Sequence, residues 1–220
     1  MKKSILLGPA AAALLVGGHV ANPVHAQSVE EAGDTRRADE GARIRQQIQN
    51  DPVAPTIAPR GADVTMVVFS DYQCPYCRKV HPVIQQLMRE DAKVRVVYRD
   101  WPIFGPVSVQ AARAVIAAKY QGKHAAFNDA MMQTSGKLSV QGIRAAANRA
   151  GVNWGRLQAD LKAHGAEIDG AIERTGRYAA MMGLRGTPGI LVGPYLIPGA
   201  IDIAGLRRAV AMARRNSVGA

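Results

Sequence analysis

The stretch Phe69-Ser70-Asp71-Tyr72-Gln73-Cys74-Pro75-Tyr76-Cys77 joins two different periodicities. Upstream, Val64, Met66, Val67, Val68 and Phe69 form a short apolar run rich in β-branched residues, which predicts a buried strand. Downstream, Val80, Val83, Ile84, Leu87 and Met88 recur at helical spacing on one face. Both cysteines of the chain therefore fall where a buried strand turns into an amphipathic helix.

That placement has chemical consequences. A Cys in the first turn of a helix faces unpaired backbone N–H groups and the positive end of the helix dipole, and both favour thiolate over thiol. Reactive Cys-X-X-Cys thiols as a class titrate between about 3.5 and 7.5. Pro75 suits the first helical position, where its missing N–H would have had no partner. Cys74 is expected to be the nucleophile, exposed at the helix tip, and Cys77 lies one turn on, placed to attack a mixed disulfide. A bridge between residues so close in sequence removes little unfolded-state entropy. The pair is therefore read as a redox centre rather than a structural staple.

Residues 1–26 have the pattern of an export signal. Lys2 and Lys3 precede the apolar run Ile5–Val16, and Val24-His25-Ala26 resembles a small-residue cleavage site. The run is too short for a comfortable membrane span. Export into an oxidising compartment agrees with disulfide chemistry. The net charge of +11 is spread over residues such as Arg36, Arg37, Arg207, Arg208, Arg214 and Arg215, without aromatic interleaving, which reads as a solvated basic surface and not a nucleic-acid site.

Residues 27–61 read as a charged helix or tail followed by a Pro-rich linker. Ala38, Ala42, Ile44 and Ile48 form a thin stripe in segment 28–50 that suits either self-association into a homo-oligomer or a solvated tail, the latter favoured. Asp51–Gly61, with Pro52, Pro55 and Pro59, reads as extended. The main domain is expected over 62–215. It opens with strand 64–70, helix 74–90 kinked at Pro82, and strand 94–98, a length that suits a right-handed parallel crossover. Residues 107–183 show helical spacing throughout, with breaks expected at Gly122, Gly136, Gly151, Gly165 and Gly183. A hairpin over 190–197 and a helix over 203–214 close the chain.

With these elements in order, several motifs resemble the DsbA-like branch of the thioredoxin fold. They are Phe69–Cys77, Arg99-Asp100-Trp101-Pro102-Ile103-Phe104-Gly105-Pro106, Gly186-Thr187-Pro188 and Leu196-Ile197-Pro198-Gly199-Ala200. The resemblance implies an α/β thioredoxin fold with a helical insertion, about 107–183, between its βαβ and ββα halves. It also implies a periplasmic thiol–disulfide oxidoreductase that forms, reduces or isomerises disulfides in exported proteins. Cys74 and Cys77 would carry the exchange, and Pro75 and Tyr76 would tune it. Thr187 and a cis Pro188 would bind an extended segment of unfolded or misoxidised client. No cofactor is implied, and a membrane redox partner would reset the pair. Pro75-Tyr76 and Thr187 resemble the isomerase and reductase members; the oxidase carries a His between its cysteines. Both directions stay open. One departure stands out: relatives carry a buried acid six residues before the first Cys, where this chain has Val68. Asp71, expected to be more exposed at the strand end, or water would then take the Cys77 proton.

Rival readings are a copper or soft-metal site and a non-catalytic chaperone. Cys74, Cys77 and His81 form C-x2-C-x3-H, but no second ligand cluster accompanies them, and His81 is expected to pack or face solvent. Met131, Met132, Met181 and Met182 read as core filler at helical spacing, and His124 and His164 as isolated helix residues. Tyr76, Trp101 and Phe104 would rim a binding groove or pack the core.

Overall fold

The computed structural model describes residues 23–218. Most of the expected signal, residues 1–22, lies outside the described residues. Helix α1 (Pro23–Gln49) leads into a compact unit that begins at Ala42. The chain continues through β1 (Thr56–Ile57), β2 (Val64–Ser70), α2 (Pro75–Glu90) and β3 (Val94–Asp100). Helices α3 (Pro106–Ala117), α4 (His124–Met132), α5 (Val140–Arg149) and α6 (Trp154–Met181) follow, then β4 (Gly189–Val192), β5 (Tyr195–Pro198) and α7 (Ile203–Val218). The sheet order is β1-β3-β2-β4-β5. β2 and β3 run parallel in register Val64↔Val94 to Ser70↔Asp100, and every other pairing is antiparallel.

Alternation along the strands divides the core into two faces. Val64, Met66, Val68, Val94, Val96 and Tyr98 pack against Val80, Ile84 and Leu87 of α2 and Leu206 and Val210 of α7. Val67, Phe69, Val97 and Leu191 pack on the other face against Ile48, Ala179 and Leu184. The helices between β3 and β4 carry their own core around Phe127, Met131, Ile143, Leu157 and Ile168. This is the thioredoxin architecture with a helical insertion, as the order of elements led one to expect.

Three local expectations change. The break at Gly165 is absent: one helix runs from Trp154 to Met181. A Cβ at 165 would lie 3.2 Å from Arg113 Nη2, so the glycine makes room for a neighbouring side chain and does not end the helix. Gly122, Gly151 and Gly183, by contrast, adopt positive φ at the ends of their helices, while Gly136, also at positive φ, lies in the loop after α4. Segment 51–61, expected as a linker, holds strand β1 on the outer edge of β3. It is fastened by buried Asp51, which accepts from Arg99 Nη1 at 2.8 Å, Arg174 Nε at 3.0 Å and Val53 N at 3.0 Å. Third, Ile48 is fully buried against the sheet and Ile44 packs beside it, so the half of the 28–50 stripe that looked available for self-association is committed to this core.

Candidate active site

Cys74 is the N-cap residue of α2, with Pro75 at the first helical position. Its extended backbone (φ −72°, ψ 118°) ends the approach from β2, and Arg78 N donates to Cys74 O at 3.2 Å to open the helix. Pro82 lies inside the same helix, which continues to Glu90. The Thr187–Pro188 peptide is cis, and Thr187 O accepts from Cys74 Sγ at 3.2 Å. The structure thus brings together Cys74, Cys77, Thr187 and Pro188 from α2 and the entry to β4, across 113 residues of sequence.

Both cysteines are free thiols, and neither is exposed: Cys74 is 2% accessible and Cys77 1%. This corrects the expectation of an exposed Cys74. The Thr187-Pro188 loop closes over the helix tip and leaves Tyr76, 62% accessible, as the projecting residue of the motif. Ile103 and Phe104 are also exposed, and the Phe104 carbonyl accepts from Gln73 Nε2 at 3.0 Å, which holds that loop beside the Cys turn. Trp101, in contrast, packs into the core with Phe69 and Tyr178. Burial pushes the Cys77 thiol up to about 12, with the Asp71 backbone and the Thr187 side chain pulling part of it back. Cys77 is therefore a protonated thiol at neutral pH.

Asp71 is buried, contrary to expectation. Its carboxylate is the hub of the surrounding loops. Oδ1 accepts from Gln73 N at 2.7 Å and Ser108 Oγ at 2.6 Å; Oδ2 accepts from Ile103 N at 2.7 Å and Phe104 N at 3.1 Å. With both oxygens occupied twice, Asp71 is a structural anchor for these loops. The chain carries a signal for this role, an Asp two residues before Gln73 at a strand end, which is the spacing of an Asx turn.

Asp100, the last residue of β3, carries no sequence signal of its own beyond the 99–106 motif. It is buried, neither carboxyl oxygen has a hydrogen-bond partner, and burial, helped by the charge of Asp71, raises it to about 7 against the pull of Arg99. Tyr72 is buried as well and donates to Asn128 Oδ1 at 3.1 Å. His81 is buried, with Nε2 against Asp129 Oδ1 at 2.9 Å. Among the described residues no three His, Cys, Asp or Glu side chains converge as a metal site.

A dithiol at the head of a helix, facing a cis-proline loop at the start of an inner strand of a thioredoxin sheet, is the arrangement of a thiol–disulfide oxidoreductase. The DSBA-like thioredoxin domain matches residues 65–211, and the chain belongs to that family. Solved structures agree. A thioredoxin-like oxidoreductase from Silicibacter pomeroyi is 41% identical at a TM-score of 0.74, covering 78% of this chain and 98% of its own. The thiol-disulfide exchange protein alpha-DsbA2 of Wolbachia pipientis is 26% identical at a TM-score of 0.74, covering 82% of this chain and 97% of its own. A periplasmic thioredoxin-like protein of Salmonella enterica serovar Typhimurium is 28% identical at 0.71, covering 78% of this chain and 96% of its own. Among curated proteins, the Na(+)/H(+) antiporter NhaA 1 of Salinispora arenicola is 29% identical over 157 residues, which is 70% of this chain and 24% of that protein. The chain spans about a quarter of the length of the curated relatives it matches. Among the described residues no helix is long and apolar enough to cross a membrane.

Proposed function

We propose that the protein exchanges disulfides with unfolded or misoxidised exported proteins, in the periplasm, after removal of a signal over residues 1–26. Cys74 forms the mixed disulfide and Cys77 resolves it. Pro75 and Tyr76 shape the turn between them, and the Thr187-Pro188 loop receives an extended client segment beside the sulfur. The observation that carries this reading is the 3.2 Å approach of Cys74 Sγ to Thr187 O, with Cys77 buried one turn behind. The exposed Tyr76, Ile103 and Phe104 supply an apolar rim suited to unfolded chain. A membrane redox partner resets the pair, and the direction of net flow follows from the reduction potential of the pair against that partner. Residues 62–215 form the catalytic domain of this reading.

The test is reduction of insulin by dithiothreitol with and without the protein. Acceleration by the wild type, lost in Cys74→Ser, supports exchange; an unchanged insulin rate in the wild type would refute it. Equilibration with glutathione then gives the potential, and refolding of reduced and of scrambled substrates separates oxidase from isomerase.

A further inference from the structure

Resolution of a mixed disulfide requires Cys77 to lose a proton while buried. Burial holds its thiol at about 12, so a nearby acceptor has large leverage on this step. Position 68 offers Val, and Asp71 is saturated by four donors. Behind Cys77 lies a small cavity of about 10 Å3, close to the space of one water, lined by Val68, Ser70, Cys77, His81, Tyr98 and Asn128 among others. His81 follows Cys77 by four residues on α2, so both side chains lie on the same helix face. His81 is 7% accessible, and its partner Asp129 is 44% accessible, which connects the buried ring to bulk water.

We propose that His81, held by Asp129, accepts the Cys77 proton across this cavity when Cys77 resolves a mixed disulfide on Cys74. The inference rests on the exchange reading given above. An ionised Asp129 only accepts, so His81 Nε2 carries the hydrogen toward it and Nδ1 keeps the lone pair. In the step, the Cys77 proton passes to the imidazole, directly or through one water. The Cys77 sulfur then attacks Cys74 Sγ; the Cys74–Cys77 bond forms, the Cys74–client bond breaks, and the client leaves as a thiolate. The pair is oxidised and the client reduced. The imidazolium is stabilised by the Asp129 carboxylate and returns its proton to solvent. Other groups set the local field. Arg78 and Arg89 share the outer groove with His81 and Asp129, Cys74 lies about two turns back at the helix N-cap, and Tyr98 faces the cavity from β3. Beyond Tyr98 stands His124, 5.0 Å ring to ring, and Asp100 ends the same strand, outside the cavity wall.

The experiment follows reduced full-length protein after mixing with oxidised glutathione, by acid quench, alkylation and mass spectrometry, from pH 5 to 9. The expected result in His81→Gln is a first-order resolution rate about 100-fold lower at neutral pH, the low end of the range for a positioned proton acceptor. Capture of glutathione by Cys74 should change far less. Resolution in His81→Gln should rise steeply with pH, following thiol ionisation alone, where the wild type is flatter. Asp129→Asn, a change at a half-exposed side chain, should slow resolution in the same direction and shift the same profile. Resolution within twofold of wild type in both variants at every pH would overturn the inference, as would selective slowing by Asp100→Asn alone. Failure of the wild type to form any glutathione adduct would instead remove the exchange reading, and the inference with it.

Discussion

At the scale of single residues, depth separates the two sulfurs from ordinary cysteines. Cys77 carries a thiol at about 12 through burial. In Cys74→Ser it should resist iodoacetamide in the native state at neutral pH and react on addition of denaturant, as read by intact mass. Cys77→Ser should leave Cys74 able to capture clients without releasing them, so covalent client adducts should accumulate and run as high-mass bands on non-reducing gels. Asp71 presents the opposite case, a charge whose function is to hold loops. Asp71→Asn replaces an acceptor-only group with one that must turn an NH2 toward backbone donors. Unsatisfied buried donors cost about 1–3 kcal/mol each and do not add fully. Asp71→Asn should therefore lose about 2–4 kcal/mol in urea titration and loosen the 101–106 loop. Its depth was hidden in sequence, because a carboxylate at a strand end reads as solvated until the four donors from residues 73 to 108 are seen converging on it. The cysteines were legible for the converse reason: strand, Cys-Pro and helix periodicity are all local signals.

At the scale of elements, two glycines show how one residue type serves different ends. Gly165 sits inside α6, and a Cβ there meets only the far end of Arg113, a half-exposed and flexible side chain. Helical Ala is favoured over Gly by about 0.5–1 kcal/mol, so Gly165→Ala should raise stability by a few tenths to about 1 kcal/mol. Gly189 opens β4 immediately after Pro188, and a Cβ there would lie 2.6 Å and 2.9 Å from the two methyls of buried Leu184. Overpacking of that kind costs about 1–3 kcal/mol, so Gly189→Ala should destabilise by that amount in the same titration. Opposite signs for two identical changes are the readout. Sequence marked Gly165 as a break. It cannot tell a glycine required by φ from one required by a neighbour, since the neighbour comes from a distant element. Strand β1 escaped notice for a related reason: two residues among prolines have no periodicity, and the ion pairs of Asp51 with Arg99 and Arg174 span 48 and 123 residues.

At the scale of the whole molecule, two buried groups pull stability in opposite directions with pH. Burial lowers His124 from 6.5 to about 3, so the native state stays neutral where the unfolded chain is protonated. That contribution is full above about 6.5 and is lost as pH falls toward 3. Asp100 is raised to about 7 by burial, so the native state holds a proton that the unfolded chain has released. Its contribution is full below about 3.9 and is lost as pH rises toward 7. Between about pH 4 and 6.5 each amounts to one proton, or about 1.4 kcal/mol per pH unit, with opposite sign. Replacing His124 by Gln should therefore tilt the stability–pH curve in that window downward with rising pH relative to wild type. Asp100→Asn should tilt it upward by a similar slope. Denaturant midpoints at half-unit pH steps read both. Asp51, brought to about 2 because its arginine hydrogen bonds outweigh burial, adds stability that fails only below about pH 4.

A sulfur sunk to 2% accessibility and framed by the protruding rings of Tyr76 and Phe104 sorts its visitors by pliability. A rigid folded surface cannot dip far enough to touch it, whereas a slack strand can thread in. On the proposed exchange function, slack chains would thus be accepted and folded ones passed over, with no need to read any particular sequence.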